Sequence, residues 1–420
     1  MEKDVKSYDI IEDQNYFYYI DYLTEEIALS DDKDNFRKRI NNNIKLEESI
    51  SKIGKKSRFK NMLEYYKNKH YHDLLHIIII PSYNCNFSCS YCYENNSEYI
   101  MTTDTLNAII KYIENNINDY SNLFIEWFGG EPLLYVNIIE NFMESISNIC
   151  TTHNKSLFSH VTTNGYFLNL NTVDRLIKVG VNSYTVTIDG YDDYHNATRF
   201  LKNGNPTFNK IIHNMKELHN SNLDFSIRLR CNITVDNIDG IDLLLDYWAK
   251  EYNFDDRMND VDIRAVAKYN DNVSSDVKII SNSKCKEIKD DLINKYMKKG
   301  LYDKTMWHFN ENGFHICYAA EESSINISPS GNILKCSIVL EEDERNIVGK
   351  INTDGTIDYN DNIFLWNNTE SRELDKCNQC SKVITCFNSY CPLLNLNGYN
   401  KCGLEINPLN YLKSLREYIV

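Results

Sequence analysis

From residue 75 to about 267 the spacing of apolar positions switches repeatedly between two periods. Short alternating or β-branched runs (HIIIIPSY, LFIEWFGG, LFSHVTTNG, SYTVTIDG, FSIRLRCNIT and VDIRAV) read as strands. Between them TLNAIIKYIENNI, VNIIENFMESISNI, NTVDRLIKVG and FNKIIHNMKELHN carry apolar residues at helical spacing. Six βα alternations predict parallel strands joined by right-handed crossovers. The expected fold is α/β, a partial TIM-like (β/α)6 barrel. Such barrels gather their chemistry at the C-terminal ends of the strands.

The flanks have a different texture. Residues 1–74 are polar and charged, with one strand-like segment, NYFYYIDY, followed by TEEIALS. That pair reads as a hairpin, with charged helical stretches after it through KNMLEYYKNKH. Residues 301–420 are loop-rich, and a region with so few periodic segments needs staples in place of a large core. Three domains are therefore expected: a small N-terminal one over 1–74, the barrel over 75–300, and a loop-rich C-terminal one over 301–420.

Composition narrows the chemistry. With 45 basic and 60 acidic residues the net charge is −15, which speaks against nucleic acid or an anionic membrane as a partner. The start, MEKDVKSYDI, lacks the basic and apolar regions of a secretory signal. LLHIIII is the longest apolar run and is far too short to span a bilayer. A cytoplasmic protein is expected. In a reducing compartment, 13 cysteines point to metal before disulfides. Three lie at 85–92 and seven between Cys317 and Cys402, whereas Cys150, Cys231 and Cys285 stand apart as small buried hydrophobes.

Four polar or glycine-rich motifs follow the first four barrel strands: NCNFSCSYC, GGEP, TNG and TIDG. In the first, Cys85, Cys89 and Cys92 share one loop. Three thiols this close bind a metal, close a disulfide, or are incidental. Thiolates suit zinc or iron–sulfur clusters, but structural zinc wants four closed ligands; of the nearby histidines, His70 and His72 precede the strand and His76 begins it. An iron–sulfur cluster held by three cysteines keeps one iron open to another ligand. In GGEP, which runs from Gly129 to Pro132, Gly129 and Gly130 permit close backbone approach, and Glu131 offers an acceptor for an ammonium group. TNG, with Asn164 at its centre, and TIDG read equally as turns. Arg230 and Asn232 in IRLRCNIT alternate with apolar residues and so share one strand face.

Cys-x3-Cys-x2-Cys on the loop after the first barrel strand resembles the defining motif of radical S-adenosylmethionine enzymes. The resemblance implies that Cys85, Cys89 and Cys92 hold a 4Fe–4S cluster whose open iron chelates S-adenosylmethionine. Reductive cleavage would then yield a 5′-deoxyadenosyl radical that takes a substrate hydrogen. Tyr91 fits the position that packs beside the adenine, and GGEP the motif that meets the methionine amino group. TIDGYDDYHNATR resembles the family segment in which Thr187 would contact the ribose and Arg199 the cofactor carboxylate, while Asp189, His195 and Asn196 shape the loop. Asn164, Arg230 and Asn232 would be further cofactor or substrate contacts.

The seven late cysteines, with GNILKC upstream, resemble the SPASM extension of that family, which carries two auxiliary 4Fe–4S clusters. By that pattern Cys377, Cys380, Cys386 and Cys402 ligate one cluster and Cys317, Cys336 and Cys391 the other, with Cys285 as its only candidate for a fourth ligand. FNSY puts four residues between Cys386 and Cys391 where the pattern has three. Three clusters and S-adenosylmethionine are thus implied, with a flavodoxin- or ferredoxin-type electron donor. Members with this extension modify peptides. The reading favoured by the resemblance is a maturase installing a cysteine thioether on a ribosomally made precursor peptide, with NYFYYIDYLTEEIALS as the candidate leader-docking edge. An anaerobic sulfatase maturase is the second reading, against which Ser337 stands where that group has an aspartate base. A non-catalytic iron–sulfur carrier is the third, and it has no use for GGEP.

Overall fold

The computed structural model describes residues 8–13, 16–21, 27–30, 73–252, 255–268, 272–302, 317–367 and 391–398. The chain divides into two compact units, one of 1–72, 305–323 and 363–420, the other of 73–304 and 324–362. In the first unit, β1 (Tyr8–Asp13), β2 (Tyr16–Asp21) and β3 (Ile27–Ser30) form an antiparallel sheet in that order. The expected hairpin is the β2–β3 pair, in which Phe17 faces Ser30; the first strand, YDIIED, adds to it. The charged helical stretches expected after it lie outside the described residues.

The second unit is built on a parallel sheet. Its strands are β4 (Leu74–Ile79), β5 (Asn122–Trp127), β6 (Ser156–Thr163), β7 (Ser183–Thr187), β8 (Ser226–Ile233) and β9 (Asp260–Ala265), each paired parallel to the next. Helices α1 (Thr103–Asn116), α2 (Val136–His153), α3 (Leu170–Ile177), α4 (Asp193–Asn196), α5 (Phe208–His219) and α6 (Ile238–Glu251) make the crossovers, and α7 (Asn282–Met297) follows β9. Local chemistry starts these helices where the pattern changes. The side chains of Thr102, Asn169 and Ser281 each accept a backbone N–H three residues on, satisfying donors that have no partner inside the helix.

Alternation along the strands separates two faces. Leu123, Ile125 and Trp127 of β5 are fully buried, and Trp127 meets Phe142 of α2 edge-on at 5.4 Å, so these positions face the helix layer. Phe124 and Glu126 face the opposite, inner side. The sheet is open and extends beyond the six strands, in the order β13-β12-β11-β10-β4 through β9. Here β10 (Ser324–Ile327) pairs parallel to β4, and β11 (Asn332–Leu334), β12 (Ile347–Ile351) and β13 (Ile357–Tyr359) continue as an antiparallel meander. Strands of three to five residues carry too little periodicity to stand out in a loop-rich sequence. Among the described residues no helix is long and apolar enough to cross a membrane.

The inner face is polar, and its charged groups are paired. His76 lies 3.4 Å from Glu126, and His160 bonds Ser183 and Thr185, each at 2.9 Å. Parallel register sets Arg228 opposite Asp260 and Arg230 opposite Asp262, and both pairs close, at 2.7 and 3.0 Å. Pairing is what makes such charges tolerable inside a barrel.

Candidate active site at the strand ends

The four rim motifs converge. After β4 the chain runs through Ser82, Tyr83 and Asn84 into Cys85, and the GGEP segment lies against it. Gly130 N donates to Ser82 O at 3.2 Å and Glu131 N to Asn84 O at 2.9 Å. A Cβ on Gly130 would stand 2.2 Å from the Asn84 carbonyl oxygen, and one on Gly129, whose φ is +109°, 2.7 Å from Ser82 O. The room left by the two glycines is thus taken by the backbone that carries the cysteines. Pro132 is buried and opens a 3-10 turn, Pro132–Tyr135.

Glu131, almost fully buried, ties this pair of loops to the end of β6. Its Oε1 accepts from Leu133 N (3.0 Å) and Thr163 Oγ1 (2.7 Å), and its Oε2 from Asn164 N (2.7 Å). Burial pushes its carboxyl up, against these three donors. A carboxylate has about four lone-pair sites, so one position on Oε2 stays open for an ammonium group. Asn164 reaches back, its Nδ2 meeting Asn86 Oδ1 at 2.8 Å and Cys85 Sγ at 3.7 Å.

Tyr91 ties the loop to β7 and β8. Its hydroxyl donates to Asp189 Oδ2 and accepts from Arg199 Nη1 (2.6 Å) and Asn232 Nδ2 (3.1 Å); burial holds it firmly as the phenol. Asp189, fully enclosed, also accepts Asn232 N at 2.8 Å and stands 3.9 Å from the Arg199 guanidinium. Thr187 ends β7, buried, opposite Arg230 in register. Arg230 itself turns to Asp262. Asn196 Oδ1 accepts Thr207 N and Phe208 N, starting α5.

His195 is fully buried, with Nδ1 accepting from Asp189 N (3.2 Å) and Nε2 against Thr207 Oγ1 (3.0 Å). Thr207 Oγ1 donates to Arg199 O, so Nε2 carries the proton. Burial, then the Arg199 charge, lower its pKa far below the usual value. A base that cannot charge when folded but can when unfolded supports the fold above about pH 6.5, and that support fades as pH falls below it. Denaturant titrations between pH 7 and 5 should show a loss of up to about 1.4 kcal/mol per pH unit from this group, absent in His195→Gln.

The three thiols are half-buried, and their surroundings favour the protonated form. Burial raises all three, Cys92 to about 12, and the Arg199 charge opposes the shift at Cys89 and Cys92. Among the described residues no three Cys, His, Asp or Glu side chains are already drawn together as a metal cage. Binding a metal here displaces thiol protons. The surroundings nonetheless suit a polar guest. Asn86 Nδ2, Ser90 Oγ and Glu94 Oε2 on the loop, and Arg199 Nε beside it, are buried without a hydrogen-bond partner, an expensive condition unless something fills the site. Three soft donors ringed by unpaired polar atoms fit a cluster and a polar cofactor.

Glu94 was not singled out from the sequence. Burial, then the charges of Glu131 and Glu342, push its carboxyl up to about 8. Its only sequence signal is its place two residues after Cys92. Cys336, buried, follows β11, with its N–H and carbonyl both bonded to Asn346 at 2.8 Å. Cys317 and Cys391 belong to the first unit; each precedes a short element, Tyr318–Ala320 or Pro392–Leu396, that packs on helix Ile363–Asn367. Cys285 is buried on α7, its sulfur facing the Ala265 amide of β9. Cys377, Cys380, Cys386 and Cys402 lie outside the described residues.

Comparison with known proteins bears on this arrangement directly. Residues 79–245, from the end of β4 into α6, match the Radical SAM superfamily. The chain carries a radical SAM domain. A cysteine-type anaerobic sulfatase-maturating enzyme of Clostridium novyi is 28% identical over 163 residues, 36% of this chain and 42% of that protein. The radical SAM cyclopropyl synthase TigE of Paramaledivibacter caminithermalis is 27% identical over 221 residues, 44% of this chain and 45% of that one. The chain spans about half the length of the curated relatives it matches. Among solved structures, anSMEcpe with bound AdoMet and Cp18Cys peptide superposes with a TM-score of 0.59 at 16% identity, covering 82% of this chain and 96% of that one. Streptococcus suis SuiB bound to precursor peptide SuiA gives 0.53 at 13% identity, covering 93% and 96%. At these identities the likeness is one of fold: the radical SAM domain sits in an open, mostly parallel α/β sheet of the same kind.

Proposed function

We propose that this chain is a radical S-adenosylmethionine peptide maturase that installs a crosslink, a cysteine thioether, on a ribosomally made precursor peptide. The observation that carries the reading is the seating of the Gly129–Glu131 backbone on the cysteine loop, with Glu131 and Tyr91 fastening that loop to three further strand ends. A carrier of electrons alone has no need of such a rim. Cys85, Cys89 and Cys92 would hold the cluster, and the open position on Glu131 would take the cofactor ammonium. Arg199, with Nε unpaired, would face its carboxylate, and Tyr91, Thr187 and Asn232 would border its nucleoside. When bound, cluster and cofactor supply a carbon-centred radical that removes a hydrogen from the substrate. The enclosing side chains orient the cofactor and exclude water.

Structures of similar fold, anSMEcpe and SuiB, hold peptides, which supports a peptide as the substrate here. The N-terminal domain, with its β1–β3 sheet, would offer a strand edge to the leader. The C-terminal domain would hold two auxiliary clusters, on Cys377, Cys380, Cys386 and Cys402 and on Cys317, Cys336 and Cys391, the second with an iron open to the substrate thiolate. A flavodoxin- or ferredoxin-type protein of the cytoplasm would supply electrons. Joining S–H and C–H groups into a thioether removes two hydrogens from the peptide: one would leave as the atom taken by the carbon-centred radical, the other as a proton to solvent with its electron passing to an auxiliary cluster. Similarity to the Clostridium novyi maturase favours formylglycine formation as a second reading, against which stands Ser337, where a base is required.

Anaerobically reconstituted protein is expected to hold three clusters and to release 5′-deoxyadenosine when reduced. Replacing Cys85, Cys89 and Cys92 together by alanine should remove about four irons per chain and all 5′-deoxyadenosine. Unchanged iron would refute the ligand assignment. With peptides encoded beside the gene, a product lighter by two hydrogens and resistant to thiol alkylation supports the thioether; an aldehyde-reactive product supports the second reading.

A further inference from the structure

The inner face of β8 and β9 holds a charge imbalance next to the rim. One layer down, Arg228 pairs with Asp260. Above them, two guanidiniums share a single carboxylate oxygen. Arg230 Nε (3.3 Å) and Nη2 (3.0 Å) and Arg264 Nε (2.8 Å) all donate to Asp262 Oδ2. Asp262 is 2% exposed and Arg264 57%, so the excess positive charge sits on the accessible partner. Lys289 adds to the positive field at Asp262. Glu126 also acts on Arg230, but it is engaged with His76. Burial, then the neighbouring Arg264 charge, lower the pKa of Arg230, as expected of cations short of counter-ions.

Position gives this imbalance a direction. Arg264 lies opposite Asn232 in the parallel register, about 5 Å away across the sheet, and the Asn232 amide bonds the Tyr91 hydroxyl at 3.1 Å. Among the described residues Arg264 uses only Nε, which leaves both Nη groups as a fork for a planar oxyanion. In a chain of net charge −15 a cation that shares its carboxylate with a second guanidinium, on the inner face beside the rim, favours an anionic guest.

We infer that Arg264, backed by Arg230 and Asp262, is an anion subsite that receives a carboxylate of the substrate beside the cofactor rim. The inference rests on the maturase reading and adds a substrate class to it: a peptide presenting an acidic side chain or its C-terminal carboxylate at the reacting segment.

The test uses the full reconstituted chain with S-adenosylmethionine bound, and calorimetric or NMR titration with four probes. N-acetyl-aspartate α-methylamide against N-acetyl-asparagine α-methylamide reports a side-chain carboxylate; N-acetylglycine against its amide reports a terminal one. In one pair the acid should bind about tenfold tighter than the amide, the scale of a charge-assisted hydrogen bond, and which pair it is identifies the source. In Arg264→Gln that ratio should fall toward one, in Arg264→Lys only part of it should return because a single ammonium cannot replace the fork, and in Arg264→Glu it should invert. Because the readout is a ratio, partial loss of folded protein does not imitate it. Equal binding of acid and amide in both pairs, or a ratio untouched by Arg264→Gln, overturns the inference. So does a fall in cofactor affinity with the ratio unchanged, which would assign the arginine to S-adenosylmethionine. Absence of 5′-deoxyadenosine from the reduced protein would instead overturn the maturase reading and leave the ratios as measured.

Discussion

Gly130→Ala is expected to strip the reconstituted protein of about four irons per chain and to lower its unfolding temperature by about 6 °C. Nothing in the backbone forbids the substitution, since Gly130 is not among the residues of positive φ. The obstacle is the neighbour. The new Cβ would stand 2.2 Å from Asn84 O, 2.5 Å from Asn84 C and 2.5 Å from Tyr83 O, and backbone atoms cannot rotate away as a side-chain tip can. GGEP and the cysteine loop must separate, breaking the Gly130–Ser82 and Glu131–Asn84 hydrogen bonds at about 3 kcal/mol, the upper end of overpacking. Cys85 follows Asn84 directly, so its thiol moves with it. Gly204→Ala separates clash from backbone strain: its φ is +82° but its Cβ would meet nothing within 4 Å, and it should cost about 1 kcal/mol with iron unchanged. Full iron content in Gly130→Ala would show that the two loops are not held in register by this contact.

Asp189→Ala should be more destabilising still, by about 3 to 5 kcal/mol in denaturant titration. It leaves the Arg199 guanidinium, 8% exposed, without its carboxylate. The Tyr91 hydroxyl and the Asn232 amide lose their acceptors as well. Asp189→Asn keeps an acceptor for Asn232 N but loses the charge and, at its amide nitrogen, the acceptor for the Tyr91 hydroxyl, so about 1.5 to 3 kcal/mol is expected. Converting the pair together, Asp189→Asn with Arg199→Gln, should recover part of that loss, because no unpaired charge then stays buried. An Asp189→Ala protein within about 1 kcal/mol of the parent would mean that Arg199 finds another counter-ion.

These two sites differ in how far they could be read from the sequence. Cys85, Cys89, Cys92 and GGEP stand out in the sequence because their pattern is local: three thiols on one loop and a tight turn are fixed by spacing of a few residues. The alternation of β-branched strands and amphipathic helices was legible for the same reason, since burial on one face imposes its period on neighbouring residues. Asp189 was readable only as part of a turn. Its bonds to Tyr91 and Asn232 span 98 and 43 residues, and no local pattern encodes such distances.

Local spacing along this chain settled the strand-and-helix order, the thiol triad and the two glycines after β5. Tertiary packing decided what those glycines face, since only the folded sheet brings β4 and β5 side by side and lays one turn on the other's backbone. It also decided that Ser324–Ile327 joins the barrel sheet beside β4, about 250 residues away. Strand register, which a shift of one residue would reverse, set Arg230 and Arg264 around one carboxylate and left a charge over. Periodicity is a property of neighbours in sequence, whereas register and charge balance belong to neighbours in space.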